Sequence, residues 1–76
     1  MAYQIYLLHL LDGTVVKAYE EYGTPTEDGF IGDFICAGPD RVFEVGNPDE
    51  GFIYVPKRNI LYVSTGEVKK DDIHHN

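Results

Sequence analysis

At 76 residues the chain makes one domain, close to the lower size at which a hydrophobic core holds a fold without staples. Thirteen acidic residues against six basic ones leave a net charge of −7, a sign that disfavours nucleic acid and anionic membranes, where affinity comes largely from Lys and Arg. A single cysteine, Cys36, excludes an internal disulfide framework, and the lack of a signal-peptide pattern alongside it points to a reducing, cytoplasmic setting. The longest apolar runs are only a few residues, far short of the ~20 that span a bilayer as a helix.

The first predicted element is a hairpin. Tyr3 to Leu11 reads as a strand, Asp12-Gly13 as a turn that accepts positive φ, and Thr14 to Tyr22 as the returning strand. A two-residue loop pairs Leu11 with Thr14, Leu10 with Val15, His9 with Val16, Leu7 with Ala18 and Tyr6 with Tyr19. Alternation then sorts Ile5, Leu7, His9, Val16 and Ala18 onto one face, and Tyr6, Leu8, Leu10, Val15, Lys17 and Tyr19 onto the other. Both faces are apolar at the centre. The face with Leu7 and small Ala18 is expected to be the core, and the patch of Leu8, Leu10 and Val15 is expected to be covered by the tail, another strand or a partner. The alternative is that both faces are internal because the sheet folds over on itself. His9, on a half-apolar face, is expected to be a packed, hydrogen-bonded residue.

Gly23 to Gly29 is a loop by composition. Phe30 to Ala37 is predicted as a third strand, bulged at Gly32, with Cys36 a buried, inert thiol in its apolar run. After a turn at Gly38-Pro39-Asp40, Arg41 to Val45 alternates as a strand. Gly46 to Gly51 is a loop, and Phe52 to Val55 a further strand. Pro56 to Asn59 reads as one 3₁₀ turn, since proline removes a ladder donor and suits a first turn. Ile60 to Ser64 is the closing strand. No stretch shows a sustained helical period.

Five or six short antiparallel strands predict an all-β fold. The expected form is a small SH3-like or Sm-like barrel over residues 1–66, closed because closure removes exposed edges. The alternative is a strongly curved sheet whose edges pair in a dimer. Residues 67–76 read as a charged, frayed tail.

Chemistry is poorly represented. Glu20 and Glu21 are adjacent on a strand and point to opposite faces, so they make no acid–base pair. Glu27-Asp28 and Asp49-Glu50 lie in loops. Cys36 with His9, or Ser64 alone, lacks an orienting third group. Only Asp71, Asp72, His74 and His75 concentrate metal-ligand types, and they fall in the tail. A non-enzymatic protein is expected, with no cofactor and no metal.

Lys57-Arg58 is the most concentrated positive spot in the predicted fold. The order of Leu10-Leu11-Asp12-Gly13-Thr14-Val15-Val16 followed late by Val55-Pro56-Lys57-Arg58-Asn59-Ile60-Leu61-Tyr62-Val63 resembles the Sm-like small barrels, over about a third of the chain. The resemblance implies a small barrel and assembly through strand edges. It departs from the family where RNA would bind: Arg58 and Asn59 are adjacent with no glycine between them, and Ala18 stands roughly where the second strand would carry its glycine. With the acidic charge, RNA binding does not carry over.

The expected function is therefore a small interaction module that associates with itself or with a protein partner. Tyr6, Leu8, Leu10, Val15, Tyr19, Lys57 and Arg58 are its candidate contact residues. The alternatives are an acidic inhibitor that occupies the basic groove of a nucleic-acid-binding protein, an Sm-like RNA binder, and a Tyr-lined barrel mouth that holds a small molecule.

Overall fold

The structure, a computed structural model, describes residues 2–70. Strands β1 (Ala2–Leu10) and β2 (Val15–Glu21) are followed by a 3₁₀ turn (Thr26–Asp28) and helix α1 (Phe30–Cys36). Strands β3 (Val42–Asn47) and β4 (Gly51–Pro56), a second 3₁₀ turn (Lys57–Asn59) and strand β5 (Ile60–Lys70) complete the order. The strands form two antiparallel sheets, β2-β1-β5 and β3-β4. β3 packs against β2 without joining its sheet, so among the described residues the predominantly β architecture is two open sheets and not the expected closed barrel. Among the described residues no helix is long and apolar enough to cross a membrane.

The first turn lies at Asp12-Gly13, but its loop is one residue longer than expected. Leu10 N–H donates to the Thr14 carbonyl at 2.8 Å and Gly13 N–H to the Leu10 carbonyl at 3.0 Å. Gly13 sits at φ 92°, the left-handed residue that ends a three-residue Leu11-Asp12-Gly13 loop. Asp12 Oδ1 accepts from Thr14 N–H at 2.9 Å, and this bond holds the Asp12 carboxyl below its usual pKa. The register becomes His9↔Val15, Leu8↔Val16 and Tyr6↔Ala18. One extra loop residue changes every cross-strand partner. The expected core face is thereby corrected: Ala18 shares its face with Tyr6 and Leu8, while Leu7 lies opposite Lys17 on the other face.

The core follows from that register. Tyr6, Leu8 and Ala18 from the larger sheet meet Phe43, Val45 and Val55 from the smaller one, with Ile60 at the start of β5. Leu8 is wholly buried, at 0% exposure.

The predicted third strand is a helix. Phe30, Ile31, Phe34 and Ala37 recur at 1, 4 and 7 residues from the first, and all four pack on the core. The Phe30 ring lies 5.4 Å from Tyr6 and 5.5 Å from Phe43, and Phe34 lies 5.8 Å from Phe43. Gly32 is no bulge: a Cβ there would run into the Thr26 carbonyl oxygen, so the close approach of helix and 3₁₀ turn requires glycine. Ile35 and Cys36 fall on the outer side. Cys36 is exposed, which corrects its expected burial.

The 3₁₀ turn at Lys57–Asn59 lies where the sequence placed it. β5 continues beyond Ser64. It pairs with β1 through two register shifts, one between Gln4 and Tyr6 and one between His9 and Leu10. At the first, Gln4 Nε2 donates to the carbonyls of Ile5 and Gly66, each at 3.0 Å, and clamps the bulge. The strand then runs to Lys70, opposite Ala2, so Glu67–Lys70 belong to the sheet rather than to a tail. Residues 71–76, with the expected Asp71, Asp72, His74 and His75, lie outside the described residues.

Candidate interaction surface

The residues expected to form one contact patch are dispersed. Tyr6 and Leu8 are in the core, and Leu10 is half-buried against it. Val15 and Tyr19 pair with His9 and Ile5 on the opposite face of the sheet. Lys57 Nζ donates to the Ala37 carbonyl at 2.6 Å and stands 4.9 Å above the Phe34 ring, closing the C-terminal end of α1. Arg58 pairs with Asp40 at 2.7 Å in an exposed contact. Burial of Leu8 removes it from any surface, and the one-residue register change carries Val15 and Tyr19 away from Tyr6 and Leu8.

Two polar clusters are structural in origin. Glu20 accepts from the Tyr6 hydroxyl at 3.1 Å and from the Phe30 backbone N–H, so a β2 carboxylate caps α1 from ten residues upstream. Burial, and then the Glu20 carboxylate, push the Tyr6 hydroxyl above its ordinary pKa. Glu20, Glu27, Asp28 and Asp33 line a shallow groove beside α1 with Cys36 and Arg41. Arg41 binds Asp33 through both nitrogens at 2.8 and 2.7 Å. On the outer face of the larger sheet, His9 stacks on Tyr62 with centroids 4.1 Å apart and shares a 2.9 Å hydrogen bond with Ser64 Oγ. No three His, Cys, Asp or Glu side chains among the described residues are arranged to hold a metal ion.

Exposed apolar side chains are scattered over the molecule, among them Leu11, Val15, Tyr22, Ile35, Leu61 and Tyr62, and three fall together in β4. Phe52, Ile53 and Tyr54 are consecutive in β4 and exposed at 48%, 48% and 64%. Among the described residues β4 pairs only with β3, so no described strand lies on its outer edge. The backbone pattern of that edge can be derived. Lys57 N–H donates to the Arg41 carbonyl at 2.7 Å, continuing the register in which Val42 faces Pro56. Residues 51, 53 and 55 therefore exchange backbone bonds with β3, whereas Phe52, Tyr54 and Pro56 direct theirs outward. Pro56, with no N–H to offer, stands at an outward position, where a sheet tolerates it. Tyr54 Oη donates to Glu44 Oε2 at 3.0 Å, and this bond raises the Tyr54 pKa.

No protein-family model, curated protein or solved structure matches the chain. The site thus rests on its own geometry. Its signal was present in the sequence: Phe52-Ile53-Tyr54-Val55 is apolar at every position, which a strand with one solvated face is not. Sequence reading alone did not separate a strand buried on both sides from an exposed edge.

Proposed function

We propose that this chain is a non-enzymatic interaction module that associates with itself or with a protein partner through the exposed edge strand β4. The observation that carries the reading is the uncharged run Phe52-Ile53-Tyr54, about half-exposed, on a strand with no neighbour on its outer side among the described residues. Unguarded edges of this kind are templates for strand pairing, and folded proteins ordinarily blunt them with charge or cover. Each such side chain contributes about 1.5–3 kcal/mol on full burial, and roughly half of that where it is already half-covered, before the cost of association is subtracted.

The test is solution mass by light scattering across a concentration series at low and high salt. Association that survives high salt supports the reading, because apolar and backbone contacts are not screened. A strict monomer that also captures no protein partner counts against it. The acidic-inhibitor alternative predicts the reverse dependence, with binding to a basic partner lost as salt rises. The Sm-like RNA-binding alternative predicts a gel shift with U-rich or A-rich RNA, which the net charge of −7 disfavours.

A further inference from the structure

Among the described residues the two sheets have four edge strands: β2 and β3 pack against each other, which leaves the outer edges of β4 and β5, and these two are not equivalent. β5 is broken by two register shifts, and beyond Gly66 it carries Glu67, Lys69 and Lys70. Bulges and charges of this kind turn an edge away from pairing. β4 keeps one continuous register with β3, from Val42↔Pro56 to Asn47↔Gly51, and bears no charge from Gly51 to Pro56.

The ends of β4 are of opposite sign. Asp49-Glu50 precedes the strand and Lys57-Arg58 follows it. A strand with an acidic start, an apolar middle and a basic end complements an antiparallel copy of itself. In that arrangement the acidic start of each copy approaches the basic end of the other, which matters for a chain of net charge −7. Parallel pairing would set acid beside acid.

From this we propose, building on the interaction-module reading, that the partner at this site is a second copy of the same chain. The two β4 strands pair antiparallel across a two-fold axis at Ile53. The outward-directed groups determine the register. Phe52 exchanges both backbone bonds with the partner's Tyr54, and Tyr54 does the same with the partner's Phe52. Each aromatic ring is thereby set across from another. Ile53 faces the partner's Ile53 as a non-hydrogen-bonded pair, the spacing at which Cβ atoms come closest, about 4.5 Å. Pro56 offers no further donor, so the paired segment stays short. The product is a four-stranded sheet, β3-β4-β4-β3, and the isologous contact closes as a dimer.

The test is cross-linking of the full chain. Ile53→Cys is placed in a Cys36→Ser background, because Cys36 is exposed. Ile35→Cys, at a site 68% exposed on α1, serves as the control in the same background. Under mild oxidation at low protein concentration, Ile53→Cys is expected to form covalent dimer on the order of tenfold faster than the control, since the paired geometry suits a disulfide. A second variant, Tyr54→Pro, removes an N–H that makes no bond within the chain. It is expected to abolish the non-covalent dimer while leaving the monomer folded by circular dichroism. If Ile53→Cys cross-links no faster than the control while the parent chain still associates, the two-fold β4 contact is wrong and the broader reading stands. If the parent chain is monomeric and binds no partner, both fail.

Discussion

Replacing Leu8 by Ala tests which face of β1 forms the core. The side chain is fully buried among Tyr6, Ala18, Phe43, Val45, Val55 and Ile60. A Leu→Ala change at such a site costs about 2–5 kcal/mol, the transfer loss plus the cavity left behind. A domain of this length has roughly 4–11 kcal/mol in total, so the variant spends a large share of the margin. Each kcal/mol lowers Tm by about 4–8 °C at this size, which puts the shift near 10–20 °C or more. Leu7→Ala is the matched control. Leu7 is only partly buried, on the face shared with Lys17, and is expected to cost about 1 kcal/mol. Urea unfolding followed by far-ultraviolet circular dichroism reads both variants, with an unchanged slope confirming that only stability moved. Leu7→Ala as destabilising as Leu8→Ala, or more so, would refute the assignment of the Tyr6–Leu8 face as core.

Further outcomes follow from single contacts. Glu20→Ala removes the acceptor of both the Tyr6 hydroxyl and the Phe30 N–H, and is expected to cost about 1–3 kcal/mol, with Glu20→Gln recovering part of it; equal stability of all three proteins would remove Glu20 as the cap of α1. Tyr6 has a folded-state pKa raised above its ordinary 10.0, so its contribution is fully present below pH 10 and is lost as pH rises through the folded value. Spectrophotometric titration should show late-ionising phenol, with Tyr6→Phe removing the Tyr6 part of it and leaving that of Tyr54. Gly46 combines φ 121° with a backbone approach in which a Cβ would meet the Gly51 carbonyl oxygen. Gly46→Ala is therefore expected to cost about 2 kcal/mol or more by thermal melting, and an unchanged Tm would mean that the β3–β4 turn is free to relax.

Much of the chain's punctuation was legible without coordinates. Asp12-Gly13 placed the first turn and Pro56 to Asn59 the 3₁₀ turn, because these residues act through their own backbone preferences. The β3 and β4 strands were legible for a similar reason, each standing between glycine- and proline-bearing turns.

Three features were decided only by the tertiary structure. The hairpin register turned on whether Asp-Gly closes a two- or a three-residue loop, and a strand period of two magnifies that single residue into an exchange of core and surface. Phe30 to Cys36 became a helix because its apolar run is too short for periodicity to arbitrate. Packing on Phe43 and Tyr6, with a cap supplied by the distant Glu20 carboxylate, settled it. The exposed edge of β4 was the third. An apolar run reads the same whether both sides are covered or one side is open, and the number of neighbours a strand acquires is a property of the assembled sheets rather than of its own residues. Local backbone preferences are written residue by residue, whereas burial is a sum over contacts between segments far apart in the chain. The first the sequence determined by itself; the second required the fold.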